Sequence, residues 1–284
     1  MPVTLELSHF DPYKIMESGQ CFRMIALSPD TYEVIAQGKR LCINDLGNRR
    51  YRFDCSAVAL AARWRVYFDL DRDYAALLDA APKADAFLLR ALADGYGLRI
   101  LRQDPWETLC GFILSQRKHL KAIRASMEAL CNPYGAPLAG TARKAFPTPE
   151  RLAALCETDL RACGLGYRAP YVLDAARKVA SGALDLAALA ALPDDALLNR
   201  LMGVNGVGIK VAECVALFAY ARLARAPVDV WIQRVIDQVY GGVSPFAGYG
   251  AYAGVYQQYM FMSMRNDGYS VHPQRIASQQ RDSH

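Results

Sequence analysis

The chain has 284 residues, 53% of them hydrophobic, and a formal net charge of +5 from 33 basic against 28 acidic side chains. That length and apolar fraction suffice for a full core in one large or two ordinary domains, so a soluble globular protein is expected. No apolar run approaches the roughly 20 residues needed to cross a bilayer, and Met1 to Phe10 has neither the basic start nor the apolar stretch of a signal peptide, which excludes a membrane span and points to the cytoplasm, or the nucleoid of a bacterial cell.

The charge leans toward a polyanionic partner but falls well short of a histone-like bias. The eight cysteines, Cys21, Cys42, Cys55, Cys110, Cys131, Cys156, Cys163 and Cys214, sit mostly in apolar segments and never pair as C-x-x-C, so buried reduced thiols are expected.

In chain order, Val3 to Leu7, Cys21 to Leu27, Tyr32 to Ala36, Arg40 to Ile43 and Arg50 to Phe53 are β-type runs divided by Pro29-Asp30, Gly38-Lys39 and Gly47-Asn48. They predict a small antiparallel sheet. From Ser56 the period becomes helical, through Ala57 to Leu70 and Tyr74 to Ala93. Asp104-Pro105, an N-cap acid before proline, starts a long amphipathic stretch to about Leu130, and Thr148-Pro149 repeats the device. Further helices are predicted over 149–155, 158–163, 169–181, 194–201, 209–224 and 230–240. The second part is all-helical, and with no Pro-rich or Gly-rich linker the two parts are expected to pack together.

The informative segment is Leu201 to Val235, LMGVNGVGIKVAECVALFAYARLARAPVDVWIQRV. A helix ends, Gly206-Val207-Gly208 turns the chain, and a new helix starts near Ile209. Glycines let backbone approach a partner closely, and the new helix start offers unpaired N–H groups at a positive dipole end, a natural phosphate cradle. Lys210 follows in the first turn between apolar Val207, Ile209 and Val211. The dipole and partial burial both disfavour its charge, hence favour a nucleophilic amine; a snorkelling surface lysine is the plainer alternative. Asp229, in Pro227-Val228-Asp229-Val230, is placed to cap the next helix. Held opposite an amine, its carboxylate also has the chemistry to stabilise a sugar cation and move protons.

Gly-x-Gly-x-Lys followed nineteen residues later by Pro-Val-Asp resembles the signature of helix-hairpin-helix DNA glycosylases. The resemblance sharpens to the 8-oxoguanine DNA glycosylase/AP lyase family and covers most of the chain: Ser18-Gly19-Gln20-Cys21-Phe22-Arg23 looks like its S-G-Q-x-F-R segment, Leu101-Arg102-Gln103-Asp104-Pro105 like the stretch before its helical domain, and Gly164-Leu165-Gly166-Tyr167-Arg168-Ala169 like its wedge loop.

The resemblance implies an α+β fold, with an N-terminal sheet-plus-helix domain over 1–102, a helical helix-hairpin-helix domain over 103–272 and a polar tail over 273–284. It implies Lys210 as Schiff-base nucleophile, Asp229 as assisting carboxylate, and a flipped base read by the Gly19 carbonyl, edge-read by Gln257, and stacked between Cys214 and Phe261. Gly206, Val207 and Gly208 would grip backbone, Tyr167 would intrude beside the vacated base, and Arg168 would contact the opposite strand. The partner implied is double-stranded DNA carrying an oxidised purine, with neither metal nor cofactor, and a monomer is the default.

Where the animal members carry an asparagine-rich run facing the orphaned cytosine, this chain has Ser115 to Leu120, and Ala122 replaces an arginine of that set. Arg117, Lys121 and Arg124 are predicted on one helical face, either for phosphate or as a merely solvated basic face, and Trp231, at a family histidine position, either near the lesion's phosphates or capping the helix pair. Two readings of the same residues stay open: a monofunctional alkylbase glycosylase, which Lys210 argues against, and a non-catalytic helix-hairpin-helix module.

Overall fold

The computed structural model describes residues 1–266; the expected polar tail, 273–284, lies outside the described residues. Five strands, β1 (Val3–Glu6), β2 (Met24–Ser28), β3 (Thr31–Ala36), β4 (Lys39–Asp45) and β5 (Arg50–Phe53), form one antiparallel sheet in the order β1-β5-β4-β3-β2. Gln37 and Gly38 both take positive φ in the two-residue turn that pairs Ala36 with Lys39, the turn whose twist matches the flanking strands. Between β1 and β2 lies α1 (Pro12–Glu17), which sequence reading missed. Its start is the same acid-proline device read at Asp104-Pro105: the Asp11 carboxylate accepts from the Lys14 amide at 3.0 Å.

Cys21, Phe22 and Arg23 precede β2 rather than belong to it. Phe22 packs edge-on against Phe112, and the buried Arg23 guanidinium bonds Glu128 and the Lys144 carbonyl. These residues leave the sheet to reach the helical half of the molecule. Arg143 completes the junction, bonding Glu33 of β3 at 3.0 Å and Glu128 at 2.6 Å. Burial pushes the Glu33 carboxyl up, but bonds from Arg40 and Arg143 outweigh it and hold it below the usual carboxylate range.

The helices follow in order. α2 (Ala57–Ala59), a π turn (Leu60–Trp64) and α3 (Arg65–Tyr67) run on without a break. Where one helix was expected over 74–93 there are two, α4 (Tyr74–Asp79) and α5 (Ala86–Asp94), separated around Pro82, with Asp85 capping the second. The long stretch expected from Asp104 to Leu130 is likewise two helices, α6 (Pro105–Ser115) and α7 (Leu120–Tyr134). Arg117 takes φ +52 in the break, and the His119 ring accepts from the Ala122 amide as the cap of α7.

Then come α8 (Pro149–Ala153), α9 (Glu157–Ala162), α10 (Ala169–Ala180), α11 (Asp194–Met202), α12 (Ile209–Tyr220), α13 (Val230–Val239) and α14 (Ala253–Asn266). Among the described residues no helix is long and apolar enough to cross a membrane. The architecture is therefore α+β, a sheet-bearing N-terminal half packed on a helical one.

α14 was not among the helices read from sequence, yet it closes the fold. It lies against α5 and α13, with the Tyr256 and Tyr259 hydroxyls donating to the Leu77 and Leu98 carbonyls at 2.8 and 2.6 Å. Gly95 admits it: a Cβ there would sit 2.5 Å from the Tyr259 ring. This brings the C-terminal end of the described chain against the end of α1, and the candidate site forms at that meeting.

Candidate active site

The hairpin between α11 and α12 is shaped by its glycines. Gly206 has φ +76, and a Cβ on it would stand 2.3 Å from Tyr171 Cδ2, so no side chain fits. At Gly208, the N-cap of α12, a Cβ would meet nothing within 4 Å, and no side chain caps the helix. The first amides of α12 are left facing open space at the positive end of the dipole. Behind them the turn is fixed to α10: Asp174 Oδ2 accepts from the Asn205 amide and Lys178 Nζ, both at 2.8 Å, and Lys178 also donates to the Gly203 carbonyl. Val207 points inward and is buried, so only its backbone remains for a ligand.

Lys210 is the second residue of α12, half-buried, with Nζ 5.4 Å from the Phe112 ring centroid, and it forms no ion pair among the described residues. One turn on, Cys214 is buried; burial pushes its thiol up to about 11, against the opposing pull of the Lys210 charge. At neutral pH it is an uncharged apolar wall. Phe112 and Phe218 stack at 5.5 Å beside it. Asp229 Oδ1 accepts from the Trp231 and Ile232 amides at 3.0 and 2.9 Å. Capping and a place at the site are thus compatible: the cap is what holds the carboxylate still.

Gly19, Lys210, Cys214, Asp229, Gln257 and Phe261 all line one cavity, which opens to solvent. Two features of its walls bear on what it can hold. Gln257 is 4% exposed, lines the cavity, and its buried Oε1 has no hydrogen-bond partner. Around Gly19 nearly every backbone acceptor is taken: the Met16 carbonyl by Arg124, Glu17 by Arg265, Ser18 by Gln258, Gln20 by Gln103. The Gly19 carbonyl alone in this run accepts from no donor among the described residues. An unpaired amide oxygen and an unpaired backbone carbonyl thus belong to two residues that line the same cavity.

The remaining sequence candidates lie outside the cavity. Tyr167 is 45% exposed on a short 3₁₀ turn, its hydroxyl 3.5 Å from the Gln116 carbonyl. Arg168, expected at the opposite strand, is held against its own loop in the chain without DNA. It is 6% exposed, donates twice to the Gln116 carbonyl and stacks on Tyr167, bracing the loop rather than facing outward. The common basic face of Arg117, Lys121 and Arg124 is overturned, because Arg117 sits in the interhelical break and Arg124 is spent on Glu17 and the Met16 carbonyl. Arg117 itself is exposed, and Trp231 is half-buried beneath the Arg234 guanidinium.

Sequence reading missed Gln258, Phe112, Phe218 and Arg265. The signal for Gln258 was present, since a second glutamine inside Tyr256–Met260 needs a buried partner; the others required the fold.

Residues 2–109 match the family model described as 8-oxoguanine DNA glycosylase, N-terminal domain, and residues 110–244 the model described as HhH-GPD superfamily base excision DNA repair protein. Among solved structures, MBOgg1, in complex with a low affinity DNA ligand, is 33% identical and superposes with a TM-score of 0.90 over 94% of this chain and 96% of its own. The Clostridium acetobutylicum 8-oxoguanine glycosylase/lyase, solved with double-stranded DNA containing cytosine opposite 8-oxoG, is 28% identical with a TM-score of 0.87 over 95% of this chain and 99% of its own. The N-glycosylase/DNA lyase of Saccharomyces cerevisiae is 34% identical over 216 residues, which are 70% of this chain and 54% of that protein; this chain thus spans about half the length of that relative. The chain belongs to the 8-oxoguanine DNA glycosylase family, built on the HhH-GPD superfamily fold.

Proposed function

We propose that this chain is a bifunctional DNA glycosylase and AP lyase that removes 8-oxoguanine from duplex DNA. The observation that carries the reading is the convergence, in one cavity, of an amine and a fixed carboxylate with an unpaired carbonyl and an unpaired amide. The first pair supplies chemistry at a sugar; the second reads a base edge.

In this reading the exposed amides of the Gly206-Val207-Gly208 hairpin bind backbone phosphate without regard to sequence. Tyr167 wedges into the duplex, exposed Arg117 faces the opposite strand, and Trp231 lies near the lesion's phosphates. The lesion turns out of the stack into the cavity between Cys214 and Phe261, where contacts must offset a few kcal/mol of unstacking. The Gly19 carbonyl accepts the N7 hydrogen that 8-oxoguanine has and guanine lacks, and Gln257 pairs with the outer edge. The free amine of Lys210 attacks C1′, the base leaves with the glycosidic electron pair, and Asp229 stabilises the sugar cation and relays protons. The resulting Schiff base acidifies C2′–H, and β-elimination expels the 3′-phosphate. The protein acts as a monomer in the cytoplasm.

Single-turnover assays on duplexes carrying 8-oxoguanine, guanine or an alkylated purine test this. Release and nicking only at 8-oxoguanine are expected. Release only of the alkylated base, without nicking, would replace the reading with a monofunctional alkylbase glycosylase.

A further inference from the structure

We infer that Arg265 is a positioning residue for lesion discrimination, locking the Gly19 carbonyl and the Phe261 ring into one rigid clamp. The inference rests on the proposed base-reading role of this cavity. Arg265 lies on α14 one helical turn after Phe261, and its guanidinium carbon stands 5.6 Å from the Phe261 ring centroid. From there Nη1 donates to the Glu17 carbonyl across 248 residues of chain, and the same nitrogen lies 3.7 Å from where a Cβ on Gly19 would be. Phe261 is closer still: Cε1 is 3.2 Å from that point. One planar cation therefore touches the aromatic wall and the turn that presents the carbonyl.

The geometry makes discrimination depend on this link. The N7 hydrogen of the lesion is a single donor, and a hydrogen bond weakens steeply when its acceptor swings off line. Gly19 has φ +78 and no side chain, so its own turn does not fix the direction of its carbonyl. That direction is set by the bonds to its neighbours. Gln258 holds Ser18 and Arg124 holds Met16, while Arg265 bonds Glu17 and also lies beside the Phe261 ring, reinforcing the direct packing of that ring on Gly19. Burial is unfavourable to the Arg265 charge, and Glu17 compensates in part. A half-buried arginine that satisfies a backbone carbonyl and lies against an aromatic face holds geometry at some cost in solvation.

The test separates base reading from strand chemistry. With wild type, Arg265→Ala and Lys210→Gln, single-turnover rates are measured on a duplex carrying 8-oxoguanine, on one carrying a preformed abasic site, and on undamaged duplex. Arg265→Ala is expected to lower 8-oxoguanine excision about tenfold to hundredfold, the loss of one charge-assisted bond, while abasic-site cleavage stays within about twofold. In a Phe261→Ala background the same change should cost much less, because the clamp is already open. Equal losses on both substrates would reduce Arg265 to a stability role and overturn the inference, as would unchanged excision or full additivity with Phe261→Ala. Failure of the functional reading itself looks different: wild type would not excise 8-oxoguanine, or Lys210→Gln would keep abasic-site cleavage.

Discussion

Replacing Gln257 by methionine should make the protein more stable and less active at once. The side chain is 4% exposed, and its Oε1 is sealed from solvent with no partner. A buried, unsatisfied polar atom costs about 1–3 kcal/mol, whichever way the amide is turned. Methionine keeps the length of the chain, fills the same irregular space and carries no group that needs a hydrogen bond. Taking the lower end for incomplete repacking, unfolding free energy should rise by about 1 kcal/mol and Tm by roughly 2–4 °C. The base edge, in contrast, loses its donor and acceptor together. Sites built to hydrogen-bond a substrate discriminate strongly, so excision of 8-oxoguanine should fall by about 100-fold or more. Thermal unfolding followed by circular dichroism and single-turnover excision measure the two arms. A Tm that drops would mean the amide is already bonded in the free protein, and unchanged excision would mean it does not read the base; either refutes the reasoning.

Gly206→Ala should disrupt the hairpin: the left-handed φ costs roughly 1–2 kcal/mol and the new methyl would collide with Tyr171, so Tm should fall and affinity for undamaged duplex should weaken, as read by thermal unfolding and fluorescence anisotropy. Glu107 gives a pH signature. Burial pushes its carboxyl up to about 7 from an unfolded value of 4.5, with Arg23 opposing. A raised acid binds its proton more tightly when folded, so its contribution is complete below about pH 4.5 and is lost as pH rises through 7, by at most about 3 kcal/mol. Glu107→Gln should therefore flatten the stability profile between pH 5 and 8 in urea titrations; a profile as steep as wild type would assign the slope elsewhere. Gly19→Ala places a methyl 3.2 Å from Phe261 at φ +78, and should cut excision more than tenfold while leaving abasic-site cleavage nearly intact.

What the sequence made legible was local. The hairpin, Lys210 and Asp229 lie within one run of 35 residues, Leu201 to Val235, where helix starts, glycines and caps follow from neighbouring residues alone. The sheet strands were readable from alternation and turn residues, and the acid-proline device at Asp11-Pro12 was readable but overlooked. What was not legible depends on distant partners. Gln258 bonds Ser18 across 240 residues and Arg265 bonds Glu17 across 248, so neither role leaves a periodic trace. Arg168 is a further case: its bond to the Gln116 carbonyl, 52 residues away, is invisible in the sequence of the loop that carries it. The breaks at Pro82 and at Arg117 were lost to smooth apolar periodicity, which continues across a turn when both helices bury the same face.

The central claim, a lysine nucleophile in a lesion-reading cavity, is tested most directly by borohydride trapping on a duplex carrying one 8-oxoguanine beside an undamaged duplex, with wild type and Lys210→Gln. The account predicts a covalent protein–DNA adduct with wild type on the lesion duplex only, absent with Lys210→Gln. An adduct that survives Lys210→Gln, or base release with no adduct at all, would contradict it.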